Sequence, residues 1–123
     1  MAKILWFARY ELTDTQLKDL NRIYGEVEIV KFKGSVSSWR EIVNAGINCD
    51  VLAVDLAPNL LADLVNPKNN QKPVIRAKMD YVSTGDMITD PITRMQRPEY
   101  HYEPTGWEQV LKYQYFNIVT KDL

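Results

Sequence analysis

At 123 residues the chain has the length of one ordinary domain, and a hydrophobic fraction of 46% suffices for a continuous core. Lys and Arg together number 15 against 16 Asp and Glu, a net charge of −1. That balance lacks the basic excess of a general nucleic-acid binder, so duplex nucleic acid is excluded as a partner while a local basic pocket is not.

Residues 3–8, "KILWFA", are a short unbroken apolar run, the pattern of a parallel strand buried on both faces. "LTDTQL" follows: Thr13 caps a helix, Gln16 completes a capping box, and Leu12 and Leu17 stand where a hydrophobic staple needs them. Leu17, Leu20 and Tyr24 then recur at helical spacing up to Gly25, a natural stop. "EVEIVKF" (26–32) reads as a second strand and "KGSVSS" as a loop. "SWREIVNAG" reads as a short helix with Ser38 as cap, Glu41 closing a second box and Gly46 at its end. "DVLAVDL" (50–56) is a third strand. "APNLLADLVN" is a third helix, with Pro58 in the first turn and Leu60, Leu61, Leu64 and Val65 on one face. After the loop "PKNNQK", "PVIRAKMDYVS" reads as a fourth strand.

Strands alternating with helices specify a mostly parallel sheet. The expected fold class is therefore α/β: a Rossmann-like or flavodoxin-like small parallel sheet with flanking helices and a C-terminal β-hairpin. The expected organisation is a single domain over 1–123, with a βαβαβαβ core at 1–83 and a loop plus hairpin at 84–123. In the latter, "GDMITDPITRMQRPEYHYEPTG" is rich in turn residues, and 99–102 and 107–119 are aromatic and β-branched. "EPTG" is expected to turn between them, in a hairpin that adds to the sheet edge or serves as a lid or dimer arm. "GWEQVLKYQYF" is alternatively the start of a helix. Cys49 is the one cysteine, which leaves no internal disulfide and fits a reducing compartment. The N-terminus is charged too early for a signal peptide, and no apolar stretch approaches the roughly 20 residues of a membrane span. The expectation is a soluble cytoplasmic protein without a membrane partner.

Ligands of open parallel sheets bind beyond the carboxyl ends of the strands. Those ends deliver Ala8, Arg9 and Tyr10; Lys33, Gly34 and Ser35; Asp55, Ala57, Pro58 and Asn59; and Arg76 or Lys78 from the fourth strand. Arg9 is the leading candidate, because a guanidinium holds a phosphate or carboxylate bidentately. Helix N-termini near Thr13 and Asn59 add backbone N–H groups, and Lys33-Gly34-Ser35 is a candidate anion nest. The competing reading of Arg9 is a surface residue paired with Glu11 or Asp55. Arg76 and Lys78, two apart, share one strand face and suit a polyanion if that face meets the site. His101, the only histidine, is a candidate acid or base or a structural residue among tyrosines. Asp80, Asp86 and Asp90 match no metal loop, and one His with one Cys makes no zinc site, so no metal and no cofactor is expected. Trp6, Trp39 and Trp107 read as core or interface residues. Asp55 at a strand end is placed like a receiver phosphoacceptor, but Ala8-Arg9 stands where a receiver needs its acidic pair. No P-loop, G-x-G-x-x-G or G-x-S-x-G sequence is present.

A first strand ending in Arg9-Tyr10, then "LTDTQ", "IYGEVEIV" and "DVLAVDLAPNLLADL", resembles the small stand-alone proteins of type III CRISPR systems related to the CRISPR-associated Rossmann fold (CARF), several of which are ring nucleases. The resemblance covers roughly residues 3–79 and rests on pattern; relatives often carry a histidine where Arg9-Tyr10 stands, and the hairpin has no counterpart. It implies a homodimer acting in antiviral defence, with paired strand ends enclosing a cyclic oligoadenylate. It also implies metal-independent cleavage, in which a ribose 2′-hydroxyl attacks the neighbouring phosphate. Mapped onto this chain, Arg9 would clamp the phosphate and Lys78 or Arg76 would add positive potential. Ser35 and Asn59 would orient ribose or base, with Ala8, Tyr10, Asp55 and Pro58 lining the site. The other expectations are a non-catalytic module that senses or sequesters a small anion or nucleotide, and a protein-interaction domain.

Overall fold

A computed structural model describes all 123 residues. Its elements run β1 (Ala2–Phe7), α1 (Asp14–Tyr24), β2 (Val27–Lys31), α2 (Trp39–Ala45), β3 (Val51–Val54), α3 (Pro58–Val65), β4 (Val74–Thr89), β5 (Gln96–Gln114) and β6 (Asn117–Asp122). The six strands form one mixed sheet in the order β2-β1-β3-β4-β5-β6. The first four are parallel where they pair, and β5 and β6 are antiparallel additions. The chain is thus α/β, and no helix is long and apolar enough to cross a membrane.

Two packed layers sandwich the parallel strands. Ile4, Trp6, Val51, Ala53 and Ile75 project to the side covered by α1, where Leu20 and Trp107 close the layer. Leu5, Phe7, Leu52, Val54 and Val74 project to the other side, under Ile42 of α2 and Leu61 and Leu64 of α3. Burial on both faces is why β1 and β3 read as unbroken apolar runs. The helices start as their sequences dictate. Thr13 accepts from Gln16 N–H at 3.1 Å while the Gln16 side chain accepts from Thr13 N–H at 3.0 Å, and Ser38 and Glu41 make the same reciprocal cap on α2. Trp107 donates its indole N–H to the Gln16 carbonyl at 3.1 Å, tying β5 to the first turn of α1.

The C-terminal third departs from expectation. "EPTG" does not turn: β5 runs straight through it, pairing Pro104 with Met79 and Gly106 with Lys78, so Thr105 is an extra residue in a β-bulge. Pro104 has no N–H to give a ladder, and Gly106 adopts φ 134°, so the turn residues are spent on the irregularity instead. "GWEQVLKYQYF" is strand through Gln114, not helix. β4 continues past Ser83 to Thr89, and the real reversal lies at Asp90–Met95, where Asp90 accepts from Ile92 N–H at 2.8 Å and Thr93 N–H at 3.1 Å. The result is a long two-stranded ribbon, 79–89 against 96–104, extending past the ends of the parallel strands. A second hairpin turns at Tyr115-Phe116 into β6.

Candidate functional site

α1 lies on one face of the sheet and α2 and α3 on the other, so the connections leaving β1 and β3 diverge in opposite directions. Divergence of this kind opens a crevice at the carboxyl ends of neighbouring strands. Here it is a cleft of about 570 Å³ lined by Phe7–Glu11 after β1, Lys33–Val36 after β2, and Asp55, Leu56, Ala57 and Leu60 around the start of α3. Eight of the residues expected at the strand ends, Ala8, Arg9, Tyr10, Lys33, Gly34, Ser35, Asp55 and Ala57, line this one cleft.

Its charges are not equivalent. Glu11 is engaged on one side by Lys31 at 2.9 Å and Lys33 at 3.7 Å. The hydrogen bond from Lys31, and then the two ammonium charges, hold its carboxyl below the ordinary glutamate value. Arg9 has no ion pair and no side-chain hydrogen bond, and neither Glu11 nor Asp55 holds it. The Asp55 backbone N–H donates to the Phe7 carbonyl at 2.9 Å, which fixes the loop, while its carboxylate makes no hydrogen bond or ion pair within the chain. Burial, and then the Asp55 charge, push the Tyr10 phenol above its ordinary value, so Tyr10 stays a neutral hydroxyl at the cleft wall. Its ring packs edge-on against Trp6 at 5.5 Å, and its carbonyl accepts the Trp6 indole N–H at 3.2 Å.

The two helix N-termini at this edge also differ. In α1 the capping box takes up the Gln16 N–H of the first turn and the Thr13 N–H of the cap. In α3 no side chain caps: Ala57, its N-cap, offers no acceptor, so the N–H groups that follow Pro58 in the first turn stay open beside the cleft. Pro58 has no N–H and Asn59 is exposed in that first turn; neither side chain lines the cleft, and what α3 presents is backbone.

Arg76 and Lys78 fall outside the cleft. Arg76 pairs with Glu108 on β5, and Lys78 with Asp122 on β6 at 3.0 Å. The two antiparallel strands added beyond β4 supply these carboxylates, so the basic pair is neutralised inside the sheet extension. His101 sits on the ribbon against Glu103 at 3.0 Å, with no place in the cleft. Trp6 and Trp107 are buried against each other, rings 5.8 Å apart, and Trp39 packs against the α2–α3 layer. No group of His, Cys, Asp or Glu side chains is arranged to hold a metal ion. The sequence marks Glu11 only as a partner for Arg9 and Leu60 only as part of the apolar face of α3; both line the cleft, Glu11 from two positions after Arg9 and Leu60 from the first turn of α3. Comparison with protein-family models, curated proteins and solved structures finds no match.

Proposed function

We propose that the chain is a Rossmann-like nucleotide-binding protein whose carboxyl-edge cleft holds a cyclic oligoadenylate or a linear oligonucleotide of the same chemistry. The observation that carries this reading is the unpaired Arg9 guanidinium at the rim of a cleft whose other cation, Lys33, already faces Glu11. A guanidinium left free beside open helix amides suits a phosphate. The free Asp55 carboxylate suits a hydroxyl or amino donor of ribose or base, so the cleft matches a ligand that carries both an anion and a donor. Positive potential comes from Arg9 and the α3 amides, not from Arg76 or Lys78, which have carboxylate partners of their own.

Cleavage by such a site is a transesterification. The 2′-oxygen forms a bond to phosphorus, the bond from phosphorus to the 5′-oxygen breaks, one proton leaves the 2′-hydroxyl and one reaches the departing 5′-oxygen. A 2′,3′-cyclic phosphate and a 5′-hydroxyl remain, with no metal required. Arg9 would stabilise charge growing on the phosphoryl oxygens, and the cleft would hold the attack in line. A second reading, binding without cleavage, is favoured by the lack of any histidine in the cleft.

A thermal-shift series with linear and cyclic oligoadenylates, followed by chromatography of the incubated ligand, tests both. Stabilisation that Arg9→Ala removes, with conversion to cyclic-phosphate products, is the result expected of the nuclease. Stabilisation with intact ligand assigns the sensing role. Wild-type protein that responds to no nucleotide would overturn the reading.

A further inference from the structure

Residues directly opposite in an antiparallel pair share a face. In the ribbon Tyr81 faces Tyr102, Ser83 faces Tyr100 and Met79 faces Pro104; past a bulge, Met87 faces Pro98. All of these fall on one side. Asp80 with Glu103, Val82 with His101, and Thr84 with Glu99 fall on the other, as the Thr84–Glu99 and His101–Glu103 contacts also require. The ribbon is therefore amphipathic, with an uncharged aromatic face and an acidic one. Yet the aromatic face is covered by nothing: Tyr81 is 67% exposed, Tyr100 54% and Tyr102 60%.

We propose that this tyrosine face docks the same face of a second copy of the chain across a two-fold axis, whatever the cleft binds. The face is prepared for burial. Tyr81 and Tyr102 pack with ring centroids 4.5 Å apart and share one hydroxyl–hydroxyl hydrogen bond, so covering them leaves one O–H of the pair, together with the Tyr100 hydroxyl, to be met by the facing tyrosines of the second copy. Tyr100 packs edge-on to Tyr81 at 6.3 Å and completes the platform. Charge selects the occupant. Nucleic acid on exposed tyrosines also needs cations for its phosphates, and this face has none, while on the reverse side Asp80, Glu99 and Glu103 outnumber Arg97. A charged peptide finds no counter-charge; a neutral apolar face does match, and the chain itself carries one.

Permanence argues the same way. A two-stranded ribbon wet on both faces gains little from its own side chains, and a second copy is a cover available wherever the chain is. The tyrosines and methionines would bury on the order of 500 Å² of each partner, against roughly 800 Å² for a standard interface. Ile92 and Met95, 91% and 69% exposed at the ribbon tip, extend the apolar surface.

Sedimentation equilibrium on the full chain decides. At about 100 μM, a concentration that populates even a weak interface of less than standard size, wild type is expected to be dimeric. Tyr81→Asp with Tyr102→Asp should weaken association more than tenfold, and Thr84→Asp on the opposite face should leave it unchanged. Ser83→Arg, which charges the face without touching the tyrosine pair, gives the same readout should the double variant misfold. A monomeric wild type, a dimer indifferent to Tyr81, Tyr102 and Ser83, or equal dissociation by Thr84→Asp would each overturn the proposal. So would single-stranded RNA binding by a monomer that loses it with the tyrosines.

Discussion

Val51–Val54, the whole of β3, is buried, whereas no residue of β4 from Asp80 to Thr89 is. Both stretches are continuous strand, but they are stabilised differently. β3 is ordered by apolar side chains removed from water on two faces, and its backbone ladder follows from that packing. The outer ribbon is ordered by its ladder, its turn and one aromatic cluster, with no core beneath it. The cleft belongs to the first kind of structure: Arg9 and Asp55 are exposed, but each is anchored one or two residues beyond the buried Phe7 or Val54. A functional side chain is held most firmly where a loop is short and the strand before it is packed.

The sharpest way to break this contrast is a pair of matched truncations. Leu52→Ala removes a side chain 1% exposed in the α2–α3 layer and should cost about 2–5 kcal/mol. Val82→Ala in the ribbon should cost no more than about 0.5 kcal/mol. Urea unfolding measures both, and losses of similar size would mean that the ribbon is a cooperative part of the core.

The same contrast explains what the sequence discloses. In residues 3–65 the determinants are local: two capping boxes, apolar runs and a first-turn proline, each complete within a few positions. The strand ends that line the cleft follow from them directly. The ribbon's determinants are pairings between distant residues. Arg76 with Glu108 and Lys78 with Asp122 lie 32 and 44 positions apart, and only the register decides that these cations are neutralised. Pro104 and Gly106 are turn residues by local rule, but the ladder on either side absorbs them as a bulge. Alternation in "YHY" is a true strand signal, though it carries no information about how far the strand continues.

A gain of stability is expected at the second hairpin. Tyr115 and Phe116 hold φ 51° and 65°, the left-handed region that side-chain crowding disfavours, and both are exposed, 83% and 91%. Two consecutive residues of this kind form the turn that Asn-Gly prefers. Tyr115→Asn with Phe116→Gly gives up little packing and should raise stability by about 1 kcal/mol, seen as a higher urea midpoint at unchanged slope. A loss instead would show that the aromatic pair has a contact within the folded chain that outweighs its backbone strain.

The smallest effect expected is confined to the ribbon tip. Asp90 accepts hydrogen bonds from the backbone N–H groups of Thr93 and Ile92, and these hold its carboxyl below the ordinary value of 3.8. A folded-state pKa lowered in this way means that the carboxylate's contribution is present above 3.8 and is lost as pH falls through the lower folded value. Acid should therefore loosen the Asp90–Met95 turn while β1 and β3, which contain no acidic residue, keep their packing. The amide proton shifts of Ile92 and Thr93 should titrate together with a midpoint below 3.8, and Asp90→Asn should abolish that titration. A midpoint at or above 3.8 would show that the carboxylate does not hold the turn, leaving the Arg94 N–H to Asp90 carbonyl bond at 2.8 Å as its closure.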